Sequence, residues 1–95
     1  MKFLEDLGFN QEEIKQLENS TPEKLSNVIK ESEKLITYNI KWLKDYGVAN
    51  YKEVVINYLD MFLMDPTNFQ NIFIKYEKED LIDKIAKNVA IVEHL

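Results

Sequence analysis

The stretch Val54-Val55-Ile56-Asn57-Tyr58-Leu59-Asp60-Met61-Phe62-Leu63-Met64 decides the fold class. Nine of its eleven residues are apolar or aromatic. The β-branched start suits a strand, but length and flanks favour a helix. Buried strands run shorter, Asn50-x-x-Glu53 is a helix-start box, and Asp65-Pro66 marks a stop. On a helical wheel the apolar side chains cover roughly 220°, leaving Asn57, Asp60 and Met64 in the gap. So wide a stripe predicts a helix over 51–64 that other helices largely surround, with the rest of an all-α chain organised around it.

Upstream, Gly47 closes one helix and Val48-Ala49-Asn50 starts the next. Before Gly47 a helical period runs through Leu25, Val28, Ile29, Leu35, Ile36, Ile40, Leu43 and Tyr46. Periodicity alone reads 22–46 as one helix, whereas Ser32-Glu33 could be a fresh cap inside it. Thr21-Pro22-Glu23 is its start, with Thr21 as cap and Pro22 at the first helical position. Further upstream, Phe3–Phe9 reads as a short helix ended by Gly8. Asn10-x-x-Glu13 then forms a capping box, with Phe9 and Ile14 at hydrophobic-staple spacing. Downstream, Asp65-Pro66 opens a helix carrying Phe69, Ile72, Phe73 and Tyr76. Glu77-Lys78-Glu79-Asp80 is a polar hinge, and a last helix carries Leu81, Ile82, Ile85 and Val89.

Composition bounds the function. Ninety-five residues make one domain able to bury a modest core. There is no cysteine, so no disulfide framework and no thiolate metal site. Acids at Glu5 and Asp6 stand where a signal peptide needs an apolar run, and no segment is apolar enough to span a bilayer. The expected location is cytoplasmic, with no membrane association. The net charge is −5. All the basic residues are lysine, which removes the bidentate fork that arginine offers to phosphate and guanine. Residues 26–50 hold four lysines against three acids, and they form the only quarter that is not net negative.

The chain repeats itself. Phe3-Leu4-Glu5-Asp6-Leu7-Gly8-Phe9 aligns with Trp42-Leu43-Lys44-Asp45-Tyr46-Gly47-Val48. Each glycine is followed by an Asn cap with Glu three residues on, then by an apolar helix and a proline start. Such a unit is the sequence mark of stacked helical arrays. On these Leu, Gly and Pro spacings the chain resembles the repeats of the mitochondrial transcription termination factor family. The resemblance covers Phe3–Leu25 and Ile40–Phe69. It implies a short right-handed array of about two helix–helix–3₁₀ units, with five to six helices in all. The units span about 3–25 and 33–69, and C-terminal helices occupy 70–95. It places 3₁₀ turns at Pro22–Leu25 and Pro66–Phe69, and a break after Leu25. It also implies nucleic-acid binding through a basic surface, from which this acidic, arginine-free chain departs.

Little in the pattern points to catalysis. His94 is the only histidine and is next to last. The acids lie scattered on helix exteriors, and the two glycines sit in separate turns, so no loop cradles a phosphate. We expect no enzyme activity, cofactor, metal or small-molecule substrate. Two binding surfaces remain. Val89, Ile91 and Val92 make an apolar C-terminal patch suited to a protein partner or a second copy of the chain. Lys30, Lys34, Lys41 and Lys44 fall within roughly 40° of one line on a continuous helix. Tyr38 and Trp42 lie beside that line. From this group, Lys34, Tyr38, Lys41, Trp42 and Lys44 are the candidates for nucleic-acid contact, provided the wheel is unbroken.

Overall fold

The computed structural model describes residues 1–95 and contains helices only. Six α-helices run in order: α1 (Gln11–Ser20), α2 (Glu23–Glu31), α3 (Glu33–Tyr46), α4 (Tyr51–Asn57), α5 (Pro66–Ile74) and α6 (Lys78–Lys87). Three 3₁₀ segments accompany them: η1 (Lys2–Leu7) before α1, η2 (Leu59–Leu63) between α4 and α5, and η3 (Val89–His94) after α6.

The hub is α3, not the stretch 54–64. It packs against α2, α4, α5, η1 and η2. Ile36, Asn39, Ile40 and Leu43 recur at helical spacing, and all four are fully buried. Phe62, Phe69 and Phe73 pack around this face, with their rings 4.9 and 5.3 Å apart in sequence order. Burying so many large side chains on one short chain supplies the main stabilising term.

The expected helix over 51–64 is corrected to two pieces. α4 ends at Asn57, Tyr58 leaves helical geometry (φ −136, ψ 44), and η2 follows. Pro66 lies eight residues beyond Tyr58, so it shapes the far end of η2 and not this break. A helix continuing into Pro66 would need its N–H to satisfy the carbonyl of Phe62, and proline has none. The next carbonyl left over is that of Met64, because the Asn68 amide is taken by the Asp65 carboxylate. Asn39 fills both vacancies: its side-chain amide donates to the Phe62 carbonyl at 3.0 Å and to the Met64 carbonyl at 2.9 Å. Nor is the stretch largely surrounded. Val54, Val55, Leu59 and Phe62 are buried, while Asn57 and Asp60 are exposed as the wheel's gap expects.

The span 22–46 is also two helices, and the break falls at Ser32, which closes α2 and opens α3. It does not fall after Leu25. Both proline starts open α-helices: α2 begins at Glu23 after Pro22, and α5 begins at Pro66. Thr21 does not cap α2. Its hydroxyl turns back and donates to the Leu17 carbonyl at the end of α1.

The glycine stops are as read. Gly8 and Gly47 both take positive φ, 91 and 112, the left-handed cap geometry. Asn10 and Glu13 form the reciprocal box at 2.8 and 2.9 Å. Asn50 and Glu53 do not. Asn50 instead donates across the fold to the Ile85 carbonyl at 2.9 Å. Glu77-Lys78-Glu79-Asp80 is a cap rather than a hinge, because the Glu77 carboxylate accepts the amides of Glu79 and Asp80.

Candidate functional site

α3 has an inner and an outer side. Measured round the wheel, its buried residues cluster opposite Lys34, so Lys34 faces away from the core. Tyr38 and Lys41 lie one and two turns further along the same side. All three are exposed, and Tyr38 is 56 % exposed. Ring-stacking partners are found for Phe9, Trp42, Tyr46, Tyr51, Phe62, Phe69 and Phe73, but none for Tyr38.

η1 runs beside this part of α3 and brings Phe3 to it. Phe3, Glu33, Lys34, Thr37, Tyr38 and Lys41 line one open groove of about 400 Å³. At its upper end the Ser32 break forms a second hollow, lined by Lys30, Glu31, Glu33 and Lys34 among others. Lys30 has therefore left the line of α3 yet remains beside Lys34.

The lysines differ in how they are used. Lys52 reaches Glu13, and Lys84 and Lys87 pair with acids one turn away. Lys44, Lys52, Lys75 and Lys78 sit 4.9–5.8 Å over aromatic rings. Lys34 and Lys41 have neither kind of partner. Lys2, Lys15, Lys24 and Lys30 lack them too, but only Lys34 and Lys41 share a groove with the exposed Tyr38 ring.

The five residues expected to contact nucleic acid are thus divided. Lys34, Tyr38 and Lys41 share the groove. Trp42 is half-buried: it stacks on Tyr46 at 4.7 Å and meets Phe69 and Phe73 edgewise or tilted at 6.1 and 5.9 Å. Its ring is occupied by the core. Lys44 stands about 80° round the wheel from Lys34 and sets its ammonium over the Tyr51 ring at 5.7 Å, outside the groove.

The C-terminal patch is divided too. Val92 is buried in the chain's own core, and Val89 and Ile91 pack half-buried against it. η3 docks on α6 and α4, so most of the patch is already covered. A hydrogen bond of 2.7 Å from the Tyr58 hydroxyl to the Glu93 carboxylate ties it down. That bond, and the negative charge behind it, raise the Tyr58 pKa.

A separate cleft of about 360 Å³ opens between α1 and the α4–η2 break, over Leu17, Leu25, Ile56 and Leu59. Ser20 and Thr21 donate to the Leu17 carbonyl and Asn57 to that of Glu53, while the side chains of Gln16 and Asp60 line the same cleft. No three His, Cys, Asp or Glu side chains stand close enough together to hold a metal ion. No helix is long and apolar enough to cross a membrane.

Sequence reasoning missed Phe3 as a wall of the groove. It also missed Asn39 as the amide that holds η2. Nothing local marks either one, since both gain their role from a distant segment. No family model matches the chain, and no curated protein or solved structure matches it.

Proposed function

We propose that this chain is a non-enzymatic helical interaction module that binds a protein partner, or a second copy of itself, through the outer side of α3. One observation carries the reading. Tyr38 stands more than half exposed between Lys34 and Lys41, and neither lysine has a partner within the chain. An exposed, large amphipathic ring matches the aromatic anchors of interface hot spots, and the lysines beside it add charge that can orient a partner.

In the same reading the units 3–25 and 33–69 form a short right-handed array resembling transcription termination factor repeats. Each unit has a left-handed glycine stop followed by a helix, α1 or α4. Repeat units of this kind present ordered side faces to partners. Nucleic-acid binding is the second reading. The Lys34–Tyr38–Lys41 line favours it, while the loss of Trp42 and Lys44 and the net charge of −5 weaken it.

The test is affinity purification of the wild-type chain and of Tyr38→Ala from the native cells, with and without nuclease. The expected result is a protein retained by wild type, lost with Tyr38→Ala and insensitive to nuclease. Nuclease-sensitive retention would move the conclusion to the second reading. An identical set of proteins with both baits would overturn the assignment of this face.

A further inference from the structure

Resting on the reading of the outer side of α3 as a binding face, we infer that its occupant is an acidic amphipathic helix from another protein. That helix carries carboxylates seven residues apart with a large apolar side chain between them.

Spacing comes first. α3 has fourteen residues, so it offers a straight edge of about 21 Å. Lys34 and Lys41 are seven residues apart, which is two turns or about 10.5 Å. Tyr38 stands between them, and Phe3 forms the wall of the same groove. A helix laid alongside repeats on that pitch. Carboxylates at i and i+7 meet the two ammonium groups, and an apolar residue at i+3 or i+4 meets Phe3 and Tyr38.

Backbone chemistry favours a helix over an extended peptide. The structure has no strand, hence no sheet edge to pair with an added strand. A helix satisfies its own backbone and needs only side-chain contacts.

Charge favours an acidic protein over a polyanion. The groove itself holds Lys34 and Lys41 against Glu33, an excess of one positive charge. Two ammonium groups match two carboxylates one for one, whereas binding to a phosphate backbone grows with the number of charges neutralised and finds few here.

A second copy of the chain does not supply this helix. Within α1 to α6, no two acids stand seven residues apart in one helix. The pairs Glu5/Glu12, Asp6/Glu13 and Glu53/Asp60 have that spacing, but the turn at Gly8 separates the first two and the break at Tyr58 the third.

The experiment is selection of a displayed library of randomised helical peptides against the full chain, followed by titration of the winners into variants. The expected winners carry Asp or Glu at i and i+7 with Leu, Met or an aromatic between. Their affinity should fall about tenfold or more on Lys34→Glu/Lys41→Glu, as truncated or reversed charge pairs do. It should also fall on Tyr38→Ala. A peptide with lysines in place of the two acids should recover binding to the Lys34→Glu/Lys41→Glu chain. All these side chains are exposed, so unchanged thermal melts serve as the folding control.

Winners that need Tyr38 but lack the acid pair would overturn the acidic helix and leave the binding face standing. Winners indifferent to all three residues, or no winners at all, would overturn both. Concentration-dependent self-association that blocks the groove would make the occupant a second copy and overturn the inference.

Discussion

Tyr38 and Asn39 are neighbours on α3 with opposite fates. The aromatic ring is 56 % exposed, and the amide is fully buried. Hydropathy would place them the other way round. Each inversion marks a task that α3 performs for something other than itself. Inside, Asn39 replaces the donor that Pro66 lacks and so holds the end of η2, where the chain turns into α5. Outside, Tyr38 and its flanking lysines form the face proposed above for a partner. On that proposal, substitutions on the inner side cost stability and those on the outer side cost binding.

The largest expected loss is at Asn39. Asn39→Leu leaves the carbonyls of Phe62 and Met64 without a donor, at about 1–3 kcal/mol for each buried group left unpaired. Asn39→Asp should be worse, since it buries an acceptor or a charge against two carbonyls. We expect it not to fold at neutral pH. Urea unfolding checks both, and a wild-type midpoint for either would break the comparison. Next come the apolar residues of η2. Phe62→Ala and Leu59→Ala should each cost about 2–5 kcal/mol, the range for large buried truncations. Asn57→Ala and Asp60→Ala should be mild in the same melts, because both side chains are exposed.

Much of this was legible in the sequence, and the pattern of what was not is instructive. Signals that act within a few residues were read correctly: the glycine stops at Gly8 and Gly47, the Asn10–Glu13 box, and the Asp65 cap with Pro66 behind it. The same signal at Asn50–Glu53 placed the start of α4 at Asn50, but not its bond: the Asn50 amide donates to the Ile85 carbonyl of α6. Likewise a wide apolar wheel over 54–64 could not reveal that Asn39, distant in sequence, would take the carbonyls of Phe62 and Met64. Of the candidate site, the Lys34–Tyr38–Lys41 line follows from α3's own wheel. Trp42 and Lys44 fell away because neighbours outside the wheel, Phe69, Phe73 and Tyr51, claimed them.

Smaller effects sharpen the contrast. Gly47→Val should cost more than Gly8→Val. Both force a β-branched residue into positive φ, at about 1–3 kcal/mol. Only at Gly47 does the added Cβ also come within 3.1 Å of the Ile82 side chain; at Gly8 the nearest atom, the Tyr51 hydroxyl, is 3.4 Å away. Thermal melts should rank them in that order.

Smaller again is the tie from Tyr58 to Glu93. The bond raises the folded-state pKa of Tyr58, so its stabilisation is complete below the unfolded value of about 10. It is lost as pH rises through the folded value. In an absorbance titration one tyrosine should ionise later than the rest, and Tyr58→Phe should remove that late step. A titration with no late component would mean that η3 is not held by this bond.

The smallest expected effect on folding belongs to the outer side. Lys34→Glu, Lys41→Glu and Tyr38→Ala should leave the melting temperature essentially unchanged, because each side chain is exposed. A clear drop for any of them would mean that the outer side also supports the fold.

The most direct measurement places the photo-crosslinker p-benzoyl-phenylalanine in the native cells at Tyr38, and for comparison at the equally accessible Ile74 on α5. The account predicts a discrete protein adduct from position 38 that is absent from position 74 and disappears when Lys34 and Lys41 are reversed to Glu. No adduct at position 38, or the same adduct from both positions, would contradict it.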